Sequence, residues 1–333
     1  MNLPIKQIKY KFLECVNTCR FVNMFITSAC SCRCKMCLFW RMKKSFMDMK
    51  IFEKAVDIFS SMGFYNWSLT GGEPLLHPNY FDFVTYLKKK GYNVNSPTNG
   101  TLLTEKTVKK MKDVGIDSVN VSIDSLNPEI ADNVRNHKGQ LKKALRGLKL
   151  LEKYKIPRST IIILAKHNIH EYCEMIKKFD EEFNTPSTLC FPDPGLGPLE
   201  EIWFTKQELV KVIDELLELK KEGYRLLNAK EYLLEVKRAY LGLDRRISCQ
   251  AGNYMINIYW NGKVKPCFNK KPMGNVNDST PINLINQNCE LCLNQCFIEF
   301  SFISKLMKEK RFFRVYTEWD NVFKQFFRNF IEG

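Results

Sequence analysis

The stretch NMFITSACSCRCKMCLFW, residues 23–40, starts as an apolar β-like run over 23–29 and then places four cysteines within eight positions. A strand that delivers thiols at its carboxyl end sets up a site at one edge of a sheet. The rest of the chain supports that reading. Short β-like runs at 66–72, 92–100, 118–124, 159–165 and 187–192 alternate with helical stretches at 50–62, 79–90, 104–114, 140–155 and 169–182. Such alternation predicts βα units and a parallel sheet. The fold expected is α/β, a partial (β/α)6 TIM-like barrel with a small C-terminal cysteine-rich hairpin-plus-helix extension. The loops TGGEP (70–74), PTNGT (97–101) and DSLNP (124–128) each follow a strand, so their polar residues belong on the same edge as the cysteines.

The 333 residues are 45% hydrophobic and 26% charged, and no run approaches the ~18 apolar residues of a membrane span. Lysines interrupt the first twenty residues, which therefore lack the apolar segment of a secretory signal, and a cytoplasmic protein is expected. In a reducing compartment thirteen cysteines point to metal ligation or catalysis rather than to disulfides. The net charge of +15 is spread over short clusters such as KKK at 88–90 and reads mainly as solvated faces, so a nucleic-acid partner is not expected.

Cys30, Cys34 and Cys37 form C-x3-C-x2-C, with Cys32 inserted. Three thiolates on one loop can hold three corners of a 4Fe-4S cube and leave one iron open to a ligand. A structural zinc site would need a fourth close donor, and half of a zinc knuckle is the alternative for this loop alone.

These residues resemble the radical SAM superfamily signature, C-x3-C-x-φ-C, with Met36 as φ. The resemblance extends over about residues 20–200. TGGEP resembles the GGE motif, which implies that the backbone of Gly71 and Gly72 and the carboxylate of Glu73 bind the amino group of S-adenosylmethionine (SAM), the glycines allowing close approach to the ligand. NVSIDS at 120–125 resembles the strand end that holds the SAM ribose, implying Ser122 and Asp124 as hydroxyl partners. NPEIADNVRNHKGQ at 127–140 resembles the next segment, in which Arg135 neutralises the SAM carboxylate. Thr98–Thr101 and Asn168 fall where relatives carry polar cleft residues. In this spacing Cys32 is expected to face away from the cluster. Taken singly, GGEP also fits a strand-to-helix turn, Ser122 and Asp124 fit a helix cap, and Arg135 fits a surface ion pair.

Downstream, Cys249 and Cys267 flank a predicted hairpin turning at WNGK (260–263), and CELCLNQC supplies Cys289, Cys292 and Cys296. The pattern resembles the SPASM/twitch extension, implying one auxiliary 4Fe-4S cluster on Cys249, Cys267, Cys289 and Cys292, with Cys296 unassigned; a four-cysteine zinc ribbon is the alternative. The expected division is an N-terminal extension at 1–20, a radical SAM core at 21–225, a linker helix and auxiliary-cluster region at 226–300, and a tail at 301–333. In that tail Trp319, Phe323, Phe326 and Phe330 recur at helical spacing beside Lys324 and Arg328, giving an amphipathic helix that docks on its own domain or touches a membrane peripherally.

The resemblance implies an enzyme that reductively cleaves SAM to a 5'-deoxyadenosyl radical and removes hydrogen from a peptide, protein side chain or small molecule, as an oxidoreductase or maturase. It needs an electron donor such as ferredoxin or flavodoxin. A membrane-derived lipid or isoprenoid substrate is the second reading, and a non-catalytic protein binding zinc or nucleic acid the third.

Overall fold

The computed structural model describes residues 20–191, 204–285, 289 and 292–308. Its centre is a sheet of nine strands in the order β6-β5-β4-β3-β2-β1-β7-β8-β9. β1 (Arg20–Thr27), β2 (Phe64–Gly71), β3 (Asn93–Thr98), β4 (Ser118–Ser122), β5 (Arg158–Ile163) and β6 (Ser187–Cys190) pair in parallel as successive neighbours. Between them run α1 (Met49–Ser61), α2 (Tyr80–Lys89), α3 (Glu105–Asp113), the short α4 (Pro128–Arg135), α5 (Gln140–Lys153) and α6 (Tyr172–Phe183). This is the expected α/β partial barrel with its C-terminal extension.

The helices start where side chains satisfy their first N–H groups. Asp48 accepts from Lys50 N ahead of α1, and Thr104 accepts from Thr107 N ahead of α3. Asn127 accepts from Glu129 N ahead of α4, which opens with Pro128 and ends at Asn136 in the left-handed conformation. Phe52, Ala55, Val56 and Phe59 line the buried stripe of α1, and Phe52 stacks on Phe83 of α2 with ring centroids 4.1 Å apart. Residues 205–240 form two helices, α7 (Lys206–Lys221) and α8 (Lys230–Tyr240), divided after Gly223 at φ +95°.

β7 (Met255–Tyr259) and β8 (Lys263–Lys265) form the hairpin expected around WNGK, and β9 (Gly274–Asn275) adds a short third strand. The hairpin is continuous with the main sheet: β7 runs parallel to β1, from Phe21 opposite Met255 to Phe25 opposite Tyr259. An uncovered β1 would leave a row of unpaired backbone groups at the sheet edge, and β7 supplies their partners. α9 (Gln295–Lys308) closes the described chain. No described helix is long and apolar enough to cross a membrane. Cys15, Cys19, the segment after Phe191 and the tail residues Trp319, Phe323, Lys324, Phe326, Arg328 and Phe330 lie outside the described residues.

Candidate active site

The loop after β1 carries Cys30, Cys32, Cys34 and Cys37 and is tied down from three sides. At the end of β2, Gly72 N donates to Thr27 O (2.8 Å) and Glu73 N to Ala29 O (2.7 Å). A Cβ on Gly71 would sit 2.1 Å from Thr27 O, and one on Gly72 2.2 Å from Ala29 O. The space beside these glycines is therefore filled by the chain's own carbonyls. Their smallness is required for the GGE turn to lie against the cysteine loop.

From β3, Asn99 Nδ2 donates to Ser31 Oγ (3.0 Å) and approaches Cys30 Sγ at 3.7 Å, while Thr101 and Ser31 share a 2.8 Å hydroxyl contact. From α4, Arg33 N donates to Arg135 O (3.1 Å) and Lys35 N to Val134 O (3.0 Å). His137 Nδ1 lies 3.0 Å from Ser31 O and its Nε2 lies 3.0 Å from Lys143 Nζ. Lys143 can only donate, so Nε2 accepts and the Nδ1 proton points at Ser31 O. Met36 and Cys37 are half-buried at a turn closed by Cys37 N donating to Cys34 O (3.2 Å).

Cys32 does not face away. It is fully buried, and its N–H donates to Cys30 Sγ (3.4 Å). The backbone ties at Ser31, Arg33 and Lys35 curl the loop around that side chain, which the spacing of the outer cysteines could not show. The Cys32 thiol, aided by the nearby Arg135 cation, draws Cys34 down to about 6 and also lowers Cys30, while burial pushes Cys37 up to about 11.

Glu73 is wholly buried. Burial pushes its carboxyl up to about 7, although Asn99 N (2.8 Å), Thr98 Oγ1 (2.8 Å) and Leu75 N (3.3 Å) all donate to it. Asp124 and Arg135 are brought together: Arg135 Nε lies 2.6 Å from Asp124 Oδ2, an ion pair bent too far to be a hydrogen bond. Asp124 Oδ1 accepts from Ile163 N (3.0 Å), so both of its oxygens are engaged inside the protein. Arg135 Nη1 reaches toward Cys34 Sγ (3.9 Å), and its buried Nη2 has no partner. Ser122 is half-buried at the end of β4, its carbonyl accepting from Gln140 Nε2 (3.1 Å). Asn168 clasps the β5 turn, donating to Asp124 O (2.8 Å) and Ile163 O (2.9 Å).

Two residues of this edge escaped the sequence reading. Gln140 donates to both Asn99 O (2.7 Å) and Ser122 O, joining the β3 and β4 ends. His167 has its Nε2 buried without a partner, and burial lowers its pKa, keeping the ring neutral beside Asp124, Arg135 and Glu171. Its signal was adjacency to Asn168 alone.

The second cysteine set is held by the extension. Cys249 and Cys267 are buried, and Cys289 and Cys292 are half-buried. Burial pushes Cys249 up to about 12. Cys296 falls elsewhere: it shares the Gln295 Oε1 with Cys190 at the end of β6 (3.5 and 3.9 Å). An ion pair inside the protein, Arg245 to Glu235 (2.6 Å), fixes the approach to Cys249, with Glu235 also accepting from Arg246 N and Ile247 N. Aromatic rings bridge the two cysteine sets: Phe39 stacks on Phe25 (5.1 Å), Phe25 on Tyr259 (4.9 Å), and Phe268, beside Cys267, meets Phe25 edge-on (5.9 Å).

As they stand, no three His, Cys, Asp or Glu side chains among the described residues are grouped to hold a metal ion. Cys30, Cys34 and Cys37 would supply three thiolates of an iron-sulfur centre; Cys30 and Cys34 lie within reach of N–H donors, and the buried Arg135 Nη2 has no hydrogen-bond partner.

Residues 24–179 match the radical SAM superfamily model. Over 116 residues the chain is 36% identical to an AdoMet-dependent heme synthase of Methanosarcina barkeri, covering 35% of this chain and a third (33%) of that protein. It is 25% identical over 265 residues to the tungsten-containing aldehyde ferredoxin oxidoreductase cofactor-modifying protein of Pyrococcus furiosus, covering 75% and 71% of the two chains. The structure of anSMEcpe with bound AdoMet superposes with a TM-score of 0.62 at 19% identity, covering 85% of this chain and 84% of that one.

Proposed function

We propose that the chain is a radical SAM enzyme of the SPASM/twitch type, which modifies a peptide side chain or small molecule at an unactivated C–H bond as a maturase or oxidoreductase. The observation that carries this is the meeting, at one sheet edge, of the Cys30–Cys34–Cys37 loop, Glu73 and the Arg135–Asp124 pair. Cys249, Cys267, Cys289 and Cys292, the last three of which all bear electrostatically on Cys249, support an auxiliary cluster.

In this reading Cys30, Cys34 and Cys37 hold the first cluster. Glu73 takes the SAM ammonium in a charge-assisted hydrogen bond. Arg135 Nη2 takes the carboxylate, with Asp124 fixing the guanidinium rather than touching the ribose, and Ser122 is left for a ribose hydroxyl. When bound, the cluster and SAM supply one-electron chemistry that removes hydrogen from carbon. The protein contributes placement and a dry wall of side chains.

Anaerobic reconstitution tests the reading. About eight irons per chain and 5'-deoxyadenosine formed from SAM under dithionite are expected. Four cysteine-bound zinc or iron atoms in total and no 5'-deoxyadenosine would overturn it.

The Glu73 carboxyl gives a pH signature. An ammonium pairs with the carboxylate form, so below about pH 7 binding must first remove a proton. SAM affinity is expected to rise about tenfold per pH unit up to about pH 7 and then level off, with proton release on binding. Calorimetry in buffers of different ionisation enthalpy reads that proton. Glu73→Gln is expected to bind roughly tenfold or more weakly, with no pH dependence in this range.

A further inference from the structure

The segment that carries the first cysteine loop and leads into α1 is strongly and one-sidedly basic. From residue 30 to 52 the chain carries six cations, Arg33, Lys35, Arg41, Lys43, Lys44 and Lys50, against one acid, Asp48. All six are exposed. Asp48 is occupied in capping α1, where it accepts from Lys50 N (2.8 Å). Ion pairs are frequent elsewhere, as in Lys88 with Asp117 and Lys237 with Asp214, yet none of these six cations makes one among the described residues. Unneutralised like charges repel one another and weaken a fold slightly, so their concentration at one place asks for an anionic partner.

The patch has the anatomy of a docking surface. Met42 is 45% and Phe46 47% exposed, two large apolar side chains framed by Arg41, Lys43 and Lys44. Its backbone is stitched to the end of β1: Met47 N donates to Ile26 O (2.8 Å), Ser28 N to Ser45 O (3.1 Å), Thr27 Oγ1 to Ser45 O (2.7 Å) and Ser28 Oγ to Lys43 O (2.8 Å). The surface is therefore held in one shape. It also adjoins the cysteines through Trp40, whose half-buried indole donates to Cys34 O (3.0 Å) and carries the Arg41 guanidinium 5.1 Å from its ring centroid.

We propose that this face, Arg41 to Phe46 with Arg33 and Lys35 beside it, is the docking site of an acidic one-electron carrier protein that reduces the first cluster past Trp40. The proposal rests on the radical SAM reading above. One electron leaves the reduced carrier and one enters the cluster; no atom or proton changes place. Charge selects the occupant: the carrier must bring a negative surface close to Cys34 and Cys37, and the exposed cations Arg33, Lys35 and Arg41 flank those two cysteines along the chain. Attraction of this kind acts mainly on the rate of encounter and fades with salt.

The test compares the reconstituted full chain with Lys43→Glu/Lys44→Glu and Arg41→Glu/Lys43→Glu/Lys44→Glu variants, following 5'-deoxyadenosine formation. Each is driven either by an acidic flavodoxin held reduced or by dithionite. With flavodoxin at low salt, the triple variant is expected to be slower by about tenfold or more, the double variant to fall between, and the gap to close at about 0.5 M salt. With dithionite all three proteins should agree within about twofold. Equal loss with both reductants would make the patch structural, and an unchanged flavodoxin rate would remove the docking role; either overturns the proposal. Loss of binding to phosphatidylglycerol vesicles or to RNA, with flavodoxin rates intact, would reassign the surface to that anion. No product from the unmodified chain even with dithionite would overturn the radical SAM reading, and the docking role with it.

Discussion

Cys34→Ala is expected to lower 5'-deoxyadenosine formation by about 10³-fold or more, equivalent to at least about 4 kcal/mol of lost transition-state stabilisation. Cys34 is buried, sits under the Arg135 cation and has its thiol drawn down to about 6. Its loss leaves two ligands for a cube. The buried Cys32, whose N–H already reaches Cys30 Sγ, gives this experiment a second arm. Cys34→Ala should keep part of the first cluster's iron through Cys32, and Cys32→Ala/Cys34→Ala should lose it. Iron and sulfide analysis with electron paramagnetic resonance would read both. Full cluster content in the double variant would remove Cys34 from the ligand set.

Gly72→Ala is the larger disturbance to the fold. Its φ is ordinary, so the obstacle is collision: the new methyl would lie 2.2 Å from Ala29 O and 2.7 Å from Ser28 O, both backbone atoms of the cysteine loop. Relief requires the GGE turn and the loop to separate, breaking Gly72 N to Thr27 O and Glu73 N to Ala29 O. A cost of about 3–5 kcal/mol is expected, lowering Tm by roughly 10 °C, together with loss of the iron chromophore from the first cluster. Gly115→Ala is the control. Nothing lies within 4 Å of its Cβ position, so its cost is limited to the left-handed backbone at φ +74°. A Gly72→Ala melting temperature within about 2 °C of the parent's would show that the loop yields easily.

Much of this was legible in the residues, for identifiable reasons. Val22, Met24 and Ile26 alternate with other buried positions in a central strand, and the βα repeat places every strand-end loop on one edge. Three cysteines in ten residues form a local pattern, readable without knowledge of the fold. What escaped depended on contacts between distant segments. Asp124 and Arg135 looked like two independent ligand contacts because nothing in their eleven-residue separation shows that one holds the other. Gln140 and His167 are single polar residues whose partners come from other loops. The pairing of β7 with β1 joins residues more than two hundred positions apart, a union that periodicity within either strand cannot report.

That pairing bears on how the chain could be cut or recombined. Residues 255–259 complete the backbone hydrogen bonding of the strand that leads into the first cysteines, so the C-terminal third is not a cartridge to be exchanged between homologues at leisure. A truncation before residue 249 would bare an apolar edge directly upstream of the first cysteine loop, an invitation to intermolecular strand addition. Chimeras should keep the first and seventh strands from one parent.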